Sequence, residues 1–69
     1  MATNLTSLKP PFKVKARYGW SGQTKGDLGF LEGDIMEVTR IAGSWFYGKL
    51  LRNKKCSGYF PHNFVILLE

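Results

Sequence analysis

A chain of 69 residues has room for one domain and a small core. Its 43% hydrophobic and 22% charged content excludes a disordered chain, and an aromatic share of 14% is more than so small a core needs. Cys56 is the single cysteine, which excludes an internal disulfide and a cysteine-rich zinc site and fits a reducing, cytoplasmic setting.

The start, Met1 to Ser7, shows neither the basic head nor the apolar run of a secretory signal. No later stretch approaches the ~18 apolar residues of a membrane span. A soluble protein is expected, and the glycosylation pattern at Asn4-Leu5-Thr6 is set aside as a chance match. Residues 1–11, ending in Pro10-Pro11, are expected to form a flexible, extended arm, with the folded domain spanning residues 12–69.

Beyond Phe12, glycines at 19, 22, 26, 29, 33, 43, 48 and 58 leave no window long enough for a stable helix. The segments between them are rich in β-branched and aromatic residues, which predicts short strands in an all-β fold. Val14, Ala16 and Tyr18 share one parity, as do Leu28 and Phe30, and Met36 and Val38. In Trp45-Phe46-Tyr47-Gly48-Lys49-Leu50, Phe46, Gly48 and Leu50 face one way and Trp45, Tyr47 and Lys49 the other. A polar turn over Leu51–Lys55 leads into a strand from Cys56 to Phe60, predicting an antiparallel hairpin. Pro61 cannot donate to the ladder and should stop it. His62-Asn63-Phe64 then forms a tight 3-10 turn before Val65-Ile66-Leu67 closes the sheet.

Taken in order, these segments resemble the Src-homology-3 (SH3) domain family from about Val14 to Leu67. Ala16-Arg17-Tyr18-Gly19-Trp20 is similar to the family's Ala-Leu-Tyr-Asp-Tyr opening. Asp27-Leu28-Gly29-Phe30 and Leu31-Glu32-Gly33-Asp34 are similar to Asp-Leu-Ser-Phe and the Lys-Gly-Asp segment. Gly43-Ser44-Trp45-Phe46 resembles the Trp-Trp segment, and Gly58-Tyr59-Phe60-Pro61-His62-Asn63-Phe64-Val65 resembles Gly-Tyr-Ile-Pro-Ser-Asn-Tyr-Val. A narrower resemblance is to the amino-terminal SH3 domains of fungal cytokinesis proteins that carry a transglutaminase-like domain further on.

The resemblance implies a small five-stranded, strongly bent barrel. Ser21 to Gly29 would form the RT loop, Arg40 to Ser44 the n-Src loop and Arg52 to Lys55 the distal turn. Val14, Ala16, Leu28, Phe30, Met36, Val38, Gly48, Phe60 and Val65 would face inward.

It also implies a groove for proline-rich segments. A polyproline II helix repeats every three residues with ~3.1 Å rise, so prolines at i and i+3 fall on one edge about 9 Å apart and need slots between flat ridges. Tyr18 and Phe64 would wall the slots on one side and Trp45, Pro61 and Tyr59 on the other, with Trp20 lining the groove near the RT loop. Trp45 Nε1–H, Asn63 and the Tyr59 hydroxyl are donors suited to ligand carbonyls. Asp27 stands where family members commonly place an acid that pairs with a basic ligand residue. The surroundings depart from that pattern, with Lys25 and Gly26 where acids are common, Gly19 for an Asp, and Ser44 for a frequent n-Src acid. Phe64 replaces a Tyr and removes one hydroxyl.

An enzyme finds little support. His62 is the single histidine, the acids form no spaced pair, and no metal-ligand spacing or phosphate-binding loop is present. The expected partner is a proline-rich protein segment, with no cofactor or small-molecule substrate and a monomeric state. The alternative is a basic barrel that binds nucleic acid or anionic lipid, as the net charge of +5 and pI near 9.7 permit. On the expected fold its Lys13, Lys15, Arg52, Lys54 and Lys55 lie away from the aromatic groove. Self-association through Lys9-Pro10-Pro11 lacks a second proline at i+3.

Overall fold

The structure, a computed structural model, describes residues 8–68. Five strands form one antiparallel sheet: β1 (Phe12–Ala16), β2 (Ile35–Ala42), β3 (Trp45–Leu50), β4 (Ser57–Pro61) and β5 (Val65–Leu67). Their spatial order is β4-β3-β2-β1-β5, and a 3-10 turn over His62–Phe64 separates the last two. This is the expected five-stranded, all-β barrel. Of the expected arm, residues 1–7 lie outside the described residues, and Leu8 to Pro11 precede β1 without entering the sheet.

Strand alternation builds the core. Phe12, Val14 and Ala16 of β1, Met36 and Val38 of β2, Phe46, Gly48 and Leu50 of β3, and Gly58 and Phe60 of β4 point inward. Every residue expected inside is buried, and Phe46 and Leu50 join them. Phe60 meets Phe30 edge-on at 5.5 Å between ring centroids and Phe46 at 6.0 Å, the arrangement that ring quadrupoles favour.

The long connection from Ala16 to Ile35 is stitched back onto the sheet. Trp20 and Phe30 exchange backbone hydrogen bonds of 2.8 and 2.7 Å across its base. At its far end the Leu28 amide donates to the Tyr59 carbonyl (2.8 Å) and the Tyr59 amide to the Gly26 carbonyl (3.0 Å). The loop thereby covers the β4 edge, which would otherwise present unpaired backbone groups.

Two expectations are corrected. The n-Src connection is not a loop from Arg40 to Ser44, because β2 continues to Ala42 and pairs with β3 up to Trp45. Only Gly43 and Ser44 form the turn, and Gly43 has a φ of 62°, a conformation that costs glycine little. The strand after the distal connection starts at Ser57 rather than Cys56, which lies exposed in the connection. Tyr18, expected at the groove although it shares the parity of Val14 and Ala16, lies beyond the strand: β1 ends at Ala16 and the chain bends over Arg17 and Tyr18, leaving Tyr18 exposed. Pro61 ends β4 as expected, opposite Trp45, and the next amide, of His62, donates to the Ser44 carbonyl at 3.1 Å.

Candidate functional site

The aromatic side chains left outside the core gather into a row. Tyr18 meets Phe64 edge-on at 5.9 Å, Phe64 lies 6.3 Å from Trp20, and Trp20 lies 5.9 Å from Trp45. Three separate parts of the chain supply these rings. The bend after β1 presents Tyr18 and Trp20, the start of β3 presents Trp45, and the 3-10 turn presents Phe64. The Arg17 amide donates to the Phe64 carbonyl at 2.8 Å, which pins the bend to the turn and sets the Tyr18–Phe64 spacing.

Within the row the residues differ in their support. Tyr18 is 51% exposed and Trp45 39%, so their rings have no core partner to explain them. Trp20 and Phe64 are half-buried and pack against the core, Trp20 through Phe30 at 6.1 Å. Trp20 thus lies in the middle of the row, in contact with Phe30, Phe64 and Trp45. Pro61 faces Trp45 across the β3–β4 ladder, and Asn63 is exposed on the turn between Pro61 and Phe64.

Tyr59 sits apart. It faces Tyr47 across the ladder, with ring centroids 4.8 Å apart, and forms a backbone bridge to Asp27. The Tyr47 hydroxyl lies 3.5 Å from Ser57 Oγ, and the Arg40 guanidinium stacks over the Tyr47 ring at 5.3 Å. Arg40 reaches this outer face because of a bulge between Val38 and Arg40: Val38 opposes Gly48 and Arg40 opposes Tyr47. The extra residue, Thr39, reverses the parity, and its hydroxyl donates to the Tyr47 carbonyl at 3.3 Å. The outward turn of Arg40 onto Tyr47 was not expected. The spacing Met36, Val38, Ile41 was the available sign that the alternation slips there.

Asp27 is engaged by its own loop. Its Oδ2 accepts the amides of Gln23 at 2.8 Å and Thr24 at 2.9 Å, closing the RT tip. These donors, the Gln23 amide above all, hold the carboxyl below its ordinary pKa against the opposing effect of desolvation. Gly22, at φ 78°, supplies the left-handed residue that the tip needs, and a Cβ there would lie 3.1 Å from Asp27 Cβ. At the other flank, His62 Nδ1 lies 2.8 Å from the Ser44 carbonyl, so the histidine fastens the turn that precedes Trp45.

A depression of about 560 Å³ lies beside the row, on the side of Trp20 towards Leu31 and Arg52. Among the described residues no group of three or more His, Cys, Asp or Glu is placed to hold a metal ion, and no helix is long and apolar enough to cross a membrane.

Comparison with known proteins agrees with this geometry. The SH3 domain family model matches residues 15–62. The chain is 43% identical over 60 residues to cytokinesis protein 3 of Schizosaccharomyces pombe, covering 86% of this chain and 7% of that protein. It is 42% identical over 52 residues to endophilin-A3 of Gallus gallus, covering 74% of this chain and 14% of that one. The chain thus corresponds to a small part of the relatives it matches. Among solved structures, the C-terminal SH3 domain of myosin IB from Entamoeba histolytica, bound to an EhFP10(GEF) peptide, superposes with a TM-score of 0.77 at 26% identity, over 90% of this chain and all of that one. The SH3 domain of the yeast actin-binding protein Abp1 gives 0.75 at 26% identity, over 83% of this chain and 98% of that one. By sequence and by fold, this chain belongs to the SH3 domain family.

Proposed function

We propose that this domain binds proline-rich segments in the polyproline II conformation along the row from Tyr18 through Phe64 and Trp20 to Trp45 and Pro61. The observation that carries the reading is the pair of exposed rings, Tyr18 and Trp45, held at the two ends of a shared aromatic floor. Rigid rings lose little side-chain entropy when they pack against a ligand, and the ligand is already extended before it binds. The Trp45 indole N–H and Asn63 supply donors for its carbonyls along the row, and the Tyr59 hydroxyl, beyond Trp45 beside Tyr47, is suited to a ligand that extends past it. With an area below the standard interface, affinity near the micromolar level, about −8 kcal/mol, is expected.

The relatives named above support a place within a larger cytokinesis or cytoskeletal protein, with the domain acting as a cytoplasmic adaptor. The myosin IB domain bound to a peptide supports a peptide partner. The phosphate-binding alternative is less well supported. Lys13 and Lys15 point outward from β1 and Lys54 and Lys55 lie on the distal connection, whereas the aromatic row draws on the bend, the β3 start and the 3-10 turn; Arg52, expected with them, instead lines the depression beside Trp20 and is paired with Asp34.

Trp45→Lys tests the proposal. Its side chain is exposed, so the fold should persist while binding to a proline-rich peptide is lost in a fluorescence titration. Retained affinity in the folded variant would refute the groove. Binding that collapses by orders of magnitude between low and moderate salt would instead favour a phosphate ligand.

A further inference from the structure

The charges around the row are unusual for a site that would pair with a basic ligand residue. At one end the Arg17 guanidinium stacks over Tyr18, 5.2 Å from the ring centroid. Beyond the other end Arg40 stacks over Tyr47, which in turn packs on Tyr59. Lys25 is exposed at the RT tip beside Asp27. Arg17 thus stands at the row itself, while Arg40 and Lys25 stand around the neighbouring Tyr47–Tyr59 pair, where the carboxylate of Asp27 already accepts two amides of its own loop. Of the remaining acids among the described residues, Glu32 comes near the row, its exposed turn packing on Gly19 between Tyr18 and Trp20. Asp34 is held by Arg52, Glu37 lies 3.7 Å from Lys49, and Glu32 belongs to the turn between Leu31 and Asp34.

We infer that the groove selects proline-rich segments flanked by acidic residues, with Arg40 and Arg17 as the specificity-determining side chains. This rests on the groove reading above. The stacked guanidinium groups are partly pre-ordered by the rings beneath them, so less freedom is lost when a carboxylate approaches. Their planar forks match a carboxylate with two parallel hydrogen bonds. An arginine at the same ligand position would meet like charge and an Asp27 oxygen that is already engaged.

The test is a titration of three synthetic peptides that share one PxxP core and carry glutamate, alanine or arginine on both flanks. Exposed ion pairs predict that the glutamate peptide binds the unaltered domain about three- to tenfold more tightly than the alanine peptide, with the arginine peptide weakest. The advantage should shrink with added salt, and Arg40→Glu should abolish or invert it while the alanine peptide still binds. Equal affinities, an arginine peptide that binds best, or a preference unchanged in R40E would overturn the inference and leave the groove intact. Failure of all three peptides to bind would overturn the groove and this inference together.

Discussion

Gly58 lies against the backbone of Gly26 so closely that a Cβ on Gly58 would stand 2.7 Å from the Gly26 carbonyl oxygen. The same Cβ would be 2.8 Å from Asp27 C and Leu28 N, and backbone atoms cannot swing aside as a side chain can. Gly58→Ala should therefore lift the RT loop off β4 and strain the hydrogen bonds between Tyr59 and the Gly26 and Leu28 backbone. Overpacking of this kind costs about 1–3 kcal/mol, which lowers Tm by roughly 5–20 °C in a domain of this size. A thermal melt measures it, and an unchanged Tm would mean that the loop is not seated on β4.

Arg52 reaches from the distal connection to Asp34, with Nε 2.8 Å from Oδ1 and Nη2 3.0 Å from Oδ2. Asp34 also accepts the Leu31 amide at 2.8 Å, and these partners, Arg52 first, hold its carboxyl below the ordinary range. The unfolded chain therefore takes up this proton at a higher pH than the folded chain. The contribution is complete above about pH 4 and is lost as pH falls through the lowered folded value. Asp34→Asn should be less stable than the unaltered domain at pH 7, with the gap closing below about pH 4 in urea unfolding. A constant gap across that range would count against the ion pair.

Tyr18 and Trp20 are two residues apart but should behave differently when truncated. Tyr18→Ala removes an exposed ridge, so peptide affinity should fall about tenfold or more while stability changes by less than about 1 kcal/mol. Trp20 packs against Phe30 and Phe64 as well as Trp45, so Trp20→Ala should lose affinity and also on the order of 2 kcal/mol of stability. Urea unfolding paired with peptide titration separates the two, and an equal loss of stability in both variants would contradict the assignment of Tyr18 to the rim.

His62 offers the Ser44 carbonyl its ring Nδ1 and its backbone amide. His62→Ala should keep the backbone bond and lose the other, costing about 1 kcal/mol and loosening the turn that carries Trp45. Amide hydrogen exchange at Gly43 and Ser44 should quicken, with a modest loss of peptide affinity. Unaltered exchange there would show that the backbone bond alone holds the turn.

Much of the fold is legible in short-range pattern. The alternation of Phe46, Gly48 and Leu50 with Trp45, Tyr47 and Lys49 separates core from surface on β3, because successive side chains of a strand must point to opposite faces. Pro61 and the glycine punctuation place the strand ends in the same way, and the order of motifs from Ala16 to Val65 identifies the family.

What the pattern leaves open depends on partners far away in the chain. The bulge at Thr39 is a matter of how β2 registers with β3, and it alone turns Arg40 outward onto Tyr47. Tyr18 continues the parity of Val14 and Ala16 on paper, but the bond from Arg17 N to Phe64 O draws the chain out of the strand and leaves Tyr18 exposed. Asp27 reads as a free acid until the RT tip folds and brings the Gln23 and Thr24 amides to its oxygen. Local covalent geometry thus suffices for which residues form the barrel. The charge and shape of the groove arise only when separate segments pack, since register, bends and hydrogen-bond partners are settled by contacts that no short stretch contains.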